Sequence, residues 1–155
     1  MSSKAPMRMS EMVILREVSR HLLPFILLFA LYVQFHGDFG PGGGFQAGVI
    51  FAAGLVLYGL VEGLDALKRA VPPRLVEILT ALGVLLYGGV GIWTLFLGGQ
   101  FLEYKAIDPH HGEHYGLLLI EGGVGITVTA AMTTIFYAFA GRERVKPLPP
   151  QRSSR

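Results

Sequence analysis

Charged residues in this chain fall in clusters, and the stretches between the clusters are long, apolar and nearly uninterrupted. From Ile78 to Leu102 no residue is charged, a run longer than the ~20 residues a helix needs to cross a bilayer. Phe45 to Val61 gives 17 uncharged residues, and Tyr115 to Gly141 is broken only by Glu121. Leu22 to Phe35 is shorter, at 14 residues, but Met12 to Leu15 and Val18 extend it backward, with Arg16 and Arg20 reaching for the surface. The bulky Val33-Gln34-Phe35-His36 that closes this run is no signal-peptidase site, so the run is expected to stay as an uncleaved span in which Pro24 removes one helix hydrogen bond. The pattern predicts an all-α integral membrane protein with four transmembrane helices, at about residues 13–35, 45–64, 76–98 and 115–140.

A chain of 155 residues holds one domain, here expected to cover 1–141, with 142–155 as a basic, proline-rich tail. Mean hydropathy is +0.51 and only 15% of residues are charged, values a greasy soluble domain could approach, so the arrangement of the runs decides for lipid. There is no cysteine, which excludes disulfides and thiolate metal sites.

The distribution of charge sets the expected orientation. Lys4, Arg8, Arg16 and Arg20 precede the first span, and Lys68, Arg69 and Arg74 lie between the second and third. Arg142, Arg144, Lys146, Arg152 and Arg155 follow the fourth, leaving only Lys105 of the 13 basic residues on the other side. The positive-inside rule therefore predicts both termini and the middle loop in the cytoplasm. A nucleic-acid partner is not expected, because the charge flanks the membrane and lacks interleaved aromatics. The short middle loop, with Pro72-Pro73, predicts that the second and third spans are neighbours, in a compact bundle or in an open sheet of helices completed by other subunits.

One polar segment stands apart: His36-Gly-Asp38-Phe-Gly-Pro41-Gly42-Gly43-Gly44-Phe45-Gln46-Ala-Gly48. Pro41 fixes a backbone angle, and the three glycines after it permit positive φ or close backbone approach. Gly44, Gly48 and Ala52 then recur every four residues, a small face suited to tight helix contact. Spacing alone leaves open an ordinary turn between two helices. The run His-Gly-Asp-x-Gly-Pro-Gly-Gly-Gly-Phe-Gln-Ala-Gly-Val-Ile, however, resembles the signature of the MrpB/MnhB family, small membrane proteins of the Mrp-type multisubunit sodium/proton antiporter. The resemblance continues through Phe51-Ala-Ala-Gly54 and returns in Gly122 to Tyr137, so it covers most of the chain.

That resemblance implies an accessory subunit of a heteromeric antiporter in the cell's inner, or plasma, membrane, expelling Na⁺ as protons flow inward. Its partners would be the other subunits, among them the large ones similar to complex I antiporter modules, which carry the proton half-channels. The same family has relatives in membrane-bound hydrogenases, so a place in such a respiratory complex is the alternative, and a purely structural scaffold is another. On this resemblance the site residues are Pro41, Gly42, Gly43, Gly44, Phe45, Gln46 and Gly48, holding a loop and helix start against neighbours. The chain itself lacks the buried lysine and glutamate series of a proton pump.

Other residues suggest chemistry of their own. His110-x-x-Glu113-His114 matches the inverted zinc-protease pattern, but Gly112 and Pro109 work against the helix it needs, so no enzyme, metal or cofactor is expected. The glycine block lacks the Gly-Lys-Ser/Thr of a phosphate-binding loop. Glu121 is an acid within a span, and with Gly125, Thr129 and Thr133 it forms a small, polar stripe. It is open whether Glu121 is solvated near headgroups, is a structural hydrogen-bond partner, or lies with Thr129 on an ion path. His36 and Asp38, at the outer end of the first span, could form a cation vestibule or simply a turn. Lys105, between Glu103 and Asp108, could bridge a partner's carboxylate, and Glu62, Asp65 and Glu77 are expected to face water or headgroups, with Glu62, between Gly59 and Gly63, alternatively meeting another subunit.

Overall fold

The computed structural model describes residues 13–37, 40–108 and 111–142. They form α1 (Val13–Phe35), α2 (Gly44–Glu62), the short α3 (Leu64–Ala70), α4 (Pro73–Phe96), a 3₁₀ turn at Tyr104–Ala106, and α5 (Gly112–Arg142). Among the described residues α1, α2, α4 and α5 are long and apolar enough to cross a membrane. At ~1.5 Å per residue, the 19 residues of α2 just span the hydrocarbon, whereas the 31 of α5 project beyond it. Pro24 lies inside a continuous α1.

The spans do not stand in chain order. α2 packs between α1 and α5, and α5 packs between α2 and α4, so the row reads α1, α2, α5, α4. The expectation that the second and third spans are neighbours is therefore corrected: α2 and α4 share no extended contact. The cause is α3. Its Leu64 and Leu67 are buried, and Leu67 tucks beneath Gly59 of α2. The Tyr137 hydroxyl of α5 donates to the Val71 carbonyl at 2.6 Å, so the connection is drawn under α5 and delivers α4 to its far side. The arrangement is the open sheet of helices rather than the closed bundle.

The core is built of small residues. Ala30, Ala47, Ala52 and Ala130 are buried, whereas Phe25, Phe29, Trp93 and Phe96 point outward. In a bilayer, apolar side chains gain nothing by leaving lipid, so helices associate through close backbone approach. α4 and α5 meet this way: a Cβ on Gly83 would lie 2.6 Å from the Gly123 carbonyl and collide with the Thr127 hydroxyl.

A second correction concerns Glu62. It does not face water or headgroups; its side chain is 9% exposed and is held by two arginines of α1. Arg16 Nε donates to Glu62 Oε1 at 3.0 Å and Arg20 Nε to the same oxygen at 2.6 Å. Residues four apart share a helix face, and antiparallel packing sets the start of α1 beside the end of α2. His21 Nδ1 lies 2.8 Å from the Glu17 carbonyl.

Candidate functional site: a glycine junction closed by Glu121

At the opposite end of α2, the loop from His36 folds back on α1. The Gly43 N–H donates to the Val33 carbonyl at 3.2 Å, and a Cβ on Gly42 would stand 2.8 Å from that oxygen. Gly43 has φ of 110°, a conformation L side chains rarely adopt, and it is the N-cap residue of α2. Ala47 N–H donates to the Gly43 carbonyl at 3.0 Å, starting the helix.

Across from this loop stands Glu121. A Cβ on Gly37 would lie 2.5 Å from Glu121 Oε2 and 3.0 Å from Oε1, and one on Gly43 would lie 3.0 Å from Oε1. On Gly44 it would collide with the Glu121 main-chain carbonyl oxygen, with the carbonyl carbon only 2.7 Å away. The glycines are therefore the floor on which an acid of α5 rests. One turn on, a Cβ at Gly48 would stand 2.7 Å from the Gly125 carbonyl. The Thr129 hydroxyl donates to both the Gly125 carbonyl at 2.8 Å and the Gly48 carbonyl at 3.2 Å. The two small-residue stripes read in the sequence are thus the two halves of one α2–α5 contact.

The remaining candidates divide. Pro41, Phe45 and Gln46 are exposed, with Phe45 63% accessible, so within this chain Phe45 braces nothing and its ring is offered to whatever lies alongside. His36 is half-buried and stacks on Tyr32 with centroids 5.0 Å apart. Asp38 lies outside the described residues, as do His110 of the zinc-like pattern and the tail from 143. Lys105 sits 3.4 Å from Glu113 Oε1, an exposed pair within the chain. Nearby, burial pushes the Tyr104 phenol above its ordinary pKa as it lies against Gly116 at the start of α5.

Sequence reasoning missed two contributors: Gly37 and Gln34. Gln34 Oε1 would be 2.6 Å from a Cβ on Gly125, and its Nε2 is buried with no hydrogen-bond partner among the described residues. Gln34 also lines a cleft of about 330 Å³ together with Ala30, Ala47, Phe51, Gly122 and Ile126. As the one side-chain amide in the Leu22–Phe35 run, it carried a signal that could have been read.

A row of four membrane-length helices, with α1 latched to the end of α2 by two arginines and the start of α2 set under a carboxylate of α5, defines a small multi-span membrane protein. Residues 14–134 match the family described as a domain related to the MnhB subunit of Na⁺/H⁺ antiporter, and the chain belongs to that family. It is similar to a candidate antiporter subunit, mnhB2, of Staphylococcus aureus strains Newman, JH1 and COL. Each is 30% identical over 134 residues, which cover 83% of this chain and 94% of the relative.

Proposed function

We propose that this chain is an accessory membrane subunit of a Na⁺/H⁺ antiporter, working in a heteromeric complex in the plasma membrane. Family membership supports the antiporter, and one observation supports the accessory role. The described charged side chains sit within about two turns of a helix end or in loops, apart from Glu121, whose carboxylate lies against Gly37 and Gly43 of the glycine loop. A relay through the chain would need a succession of such groups across the bilayer. The clustering of Arg16, Arg20, Lys68, Arg69 and Arg74 at one end supports a topology with both termini cytoplasmic, which puts the glycine junction on the outer side.

The complex supplies what the open row lacks. Its partners are the other antiporter subunits, including the complex-I-like ones, along with lipid and the transported Na⁺ and H⁺. Phe45 and Gln46, in the first turn of α2 and exposed, serve as the contact with a neighbour, and Lys105 remains on the same outer side. A second reading rests on the acid at the outer end of α5: Glu121, His36, Asp38 and Thr129 would line an outer cation path. The Thr129 hydroxyl, already shared between two carbonyls, argues against its part in that path.

The test is Phe45→Ala in the whole complex. Because the ring is largely exposed, truncation costs the isolated chain little; losing a buried aromatic contact with a neighbour costs about 3–5 kcal/mol. Subunit co-purification or Na⁺-dependent proton movement should fall sharply. A complex that assembles and exchanges ions normally would remove Phe45 from the interface.

A further inference from the structure

We infer that Glu121 is a positioning residue: its carboxylate, reaching across from α5, acts as the cap of α2 and holds Gly37 and Gly43 of the loop in place. The inference rests on the accessory-subunit reading and says which of the open roles this acid performs.

Three observations converge. The first N–H groups of any helix have no partner within it, and a side chain at the N-cap normally serves them. Here the N-cap is Gly43, which has no side chain and makes no capping bond. α2 also carries no acid in its first turn, although its N-terminus bears the positive end of the helix dipole. The carboxylate lying against that N-cap glycine comes instead from residue 121, far along the sequence. The loop is shaped to receive it, since Gly37 and Gly43 leave the volume that the two carboxylate oxygens fill, and Gly44 lets the α5 backbone descend to the helix start. A side chain at Gly37 would displace the carboxylate, so loop and acid are two parts of one device. This accounts for a carboxylate inside a membrane helix without any ion passing through it.

The experiment uses the full antiporter complex in everted vesicles. The chain contains no cysteine, so Gly40→Cys gives it a single thiol on the exposed part of the loop, which faces the lumen of everted vesicles, and its labelling rate with a membrane-permeant maleimide reports loop shape. Glu121→Gln keeps a side-chain oxygen able to accept from the helix start. Labelling should stay within about 2-fold of the parent and maximal exchange should be retained to the same degree. Glu121→Leu removes the acceptor, so labelling should rise about 10-fold and exchange should fall with it at equal subunit amounts. Gly37→Ala should behave like Glu121→Leu, and combining it with Glu121→Asp, which keeps the carboxylate but draws it back by one methylene, should bring labelling and exchange back together. Exchange abolished in Glu121→Gln while labelling and subunit levels stay unchanged would overturn the assignment and put the carboxylate on the ion path. If Glu121→Leu fails to assemble, the Glu121→Gln result decides alone. An unmodified complex without exchange would defeat the functional reading, whereas the labelling series would still decide this inference.

Discussion

Adding one methyl group at Gly44 should separate helices α2 and α5, whereas the same methyl at Gly88 or Gly141 should not be felt. A Cβ on Gly44 would meet the Glu121 carbonyl carbon at 2.7 Å and its Cα at 2.9 Å, well inside the ~3.5–4.0 Å at which carbon atoms rest. Every atom it meets is main chain, so no rotamer change relieves the clash and the helices themselves must move apart. Overpacking of this kind costs about 1–3 kcal/mol. Separation also lengthens the bond from the Thr129 hydroxyl to the Gly48 carbonyl, already 3.2 Å, and lifts Glu121 from the loop. Alanine recovers at most about 0.5–1 kcal/mol of helix propensity at an interior position, and less at a first residue, so the sign is destabilising. Gly88 and Gly141 provide controls, since a Cβ at either meets nothing within 4 Å. Thermal melting of the purified complex, followed by retention of this chain, should show Gly44→Ala shifted downward and Gly88→Ala and Gly141→Ala unchanged or slightly raised. Equal melting of all three would refute the claim that α2 and α5 touch backbone to backbone at this point.

Glu62→Ala leaves Arg16 and Arg20 without the carboxylate they share; both arginines are about half exposed, so water compensates part of the loss and about 1–2 kcal/mol should be lost, read as reduced chain abundance in membranes. Thr129→Val removes a hydroxyl shared by two carbonyls and should cost about 0.6 kcal/mol while leaving ion exchange intact, as measured in vesicles; lost exchange in an assembled complex would put Thr129 on the ion path. Tyr137→Phe should free the α3 connection from α5 at a cost of about 1 kcal/mol, detected as faster proteolysis between α3 and α4.

Much of this architecture is visible along the chain because lipid imposes a one-dimensional rule. A run such as Ile78–Leu102 is a span wherever its neighbours lie, and α4 occupies most of it. The order of the spans in space obeys no such rule. The short connection before Pro72 pointed to adjacent helices, yet within it Leu64 and Leu67 form an anchor that carries α4 past α5. The same distinction separates what was seen in the site from what was not. Gly44 with Gly48, and Glu121 with Thr129, each stood out as a small or polar stripe at four-residue spacing. That the stripes face each other depends on a contact between residues about eighty positions apart, which local periodicity does not encode. Glu62 was misread for the same reason, because its partners Arg16 and Arg20 lie on another helix. Depth offered a partial clue: the glycine loop ends the first span on the side where the fourth begins, and Glu121 is only about 10 Å along that fourth span from His114.

The central claim, that this chain completes a Na⁺/H⁺ antiporter without itself carrying the ions, is tested most directly by Na⁺-dependent proton movement in everted membrane vesicles. The vesicles would be prepared with the complete complex, with this chain deleted, and with the chain restored from a second gene copy. The account predicts exchange that disappears on deletion, returns on restoration and survives Glu121→Gln. Exchange that persists in vesicles lacking the chain would contradict it.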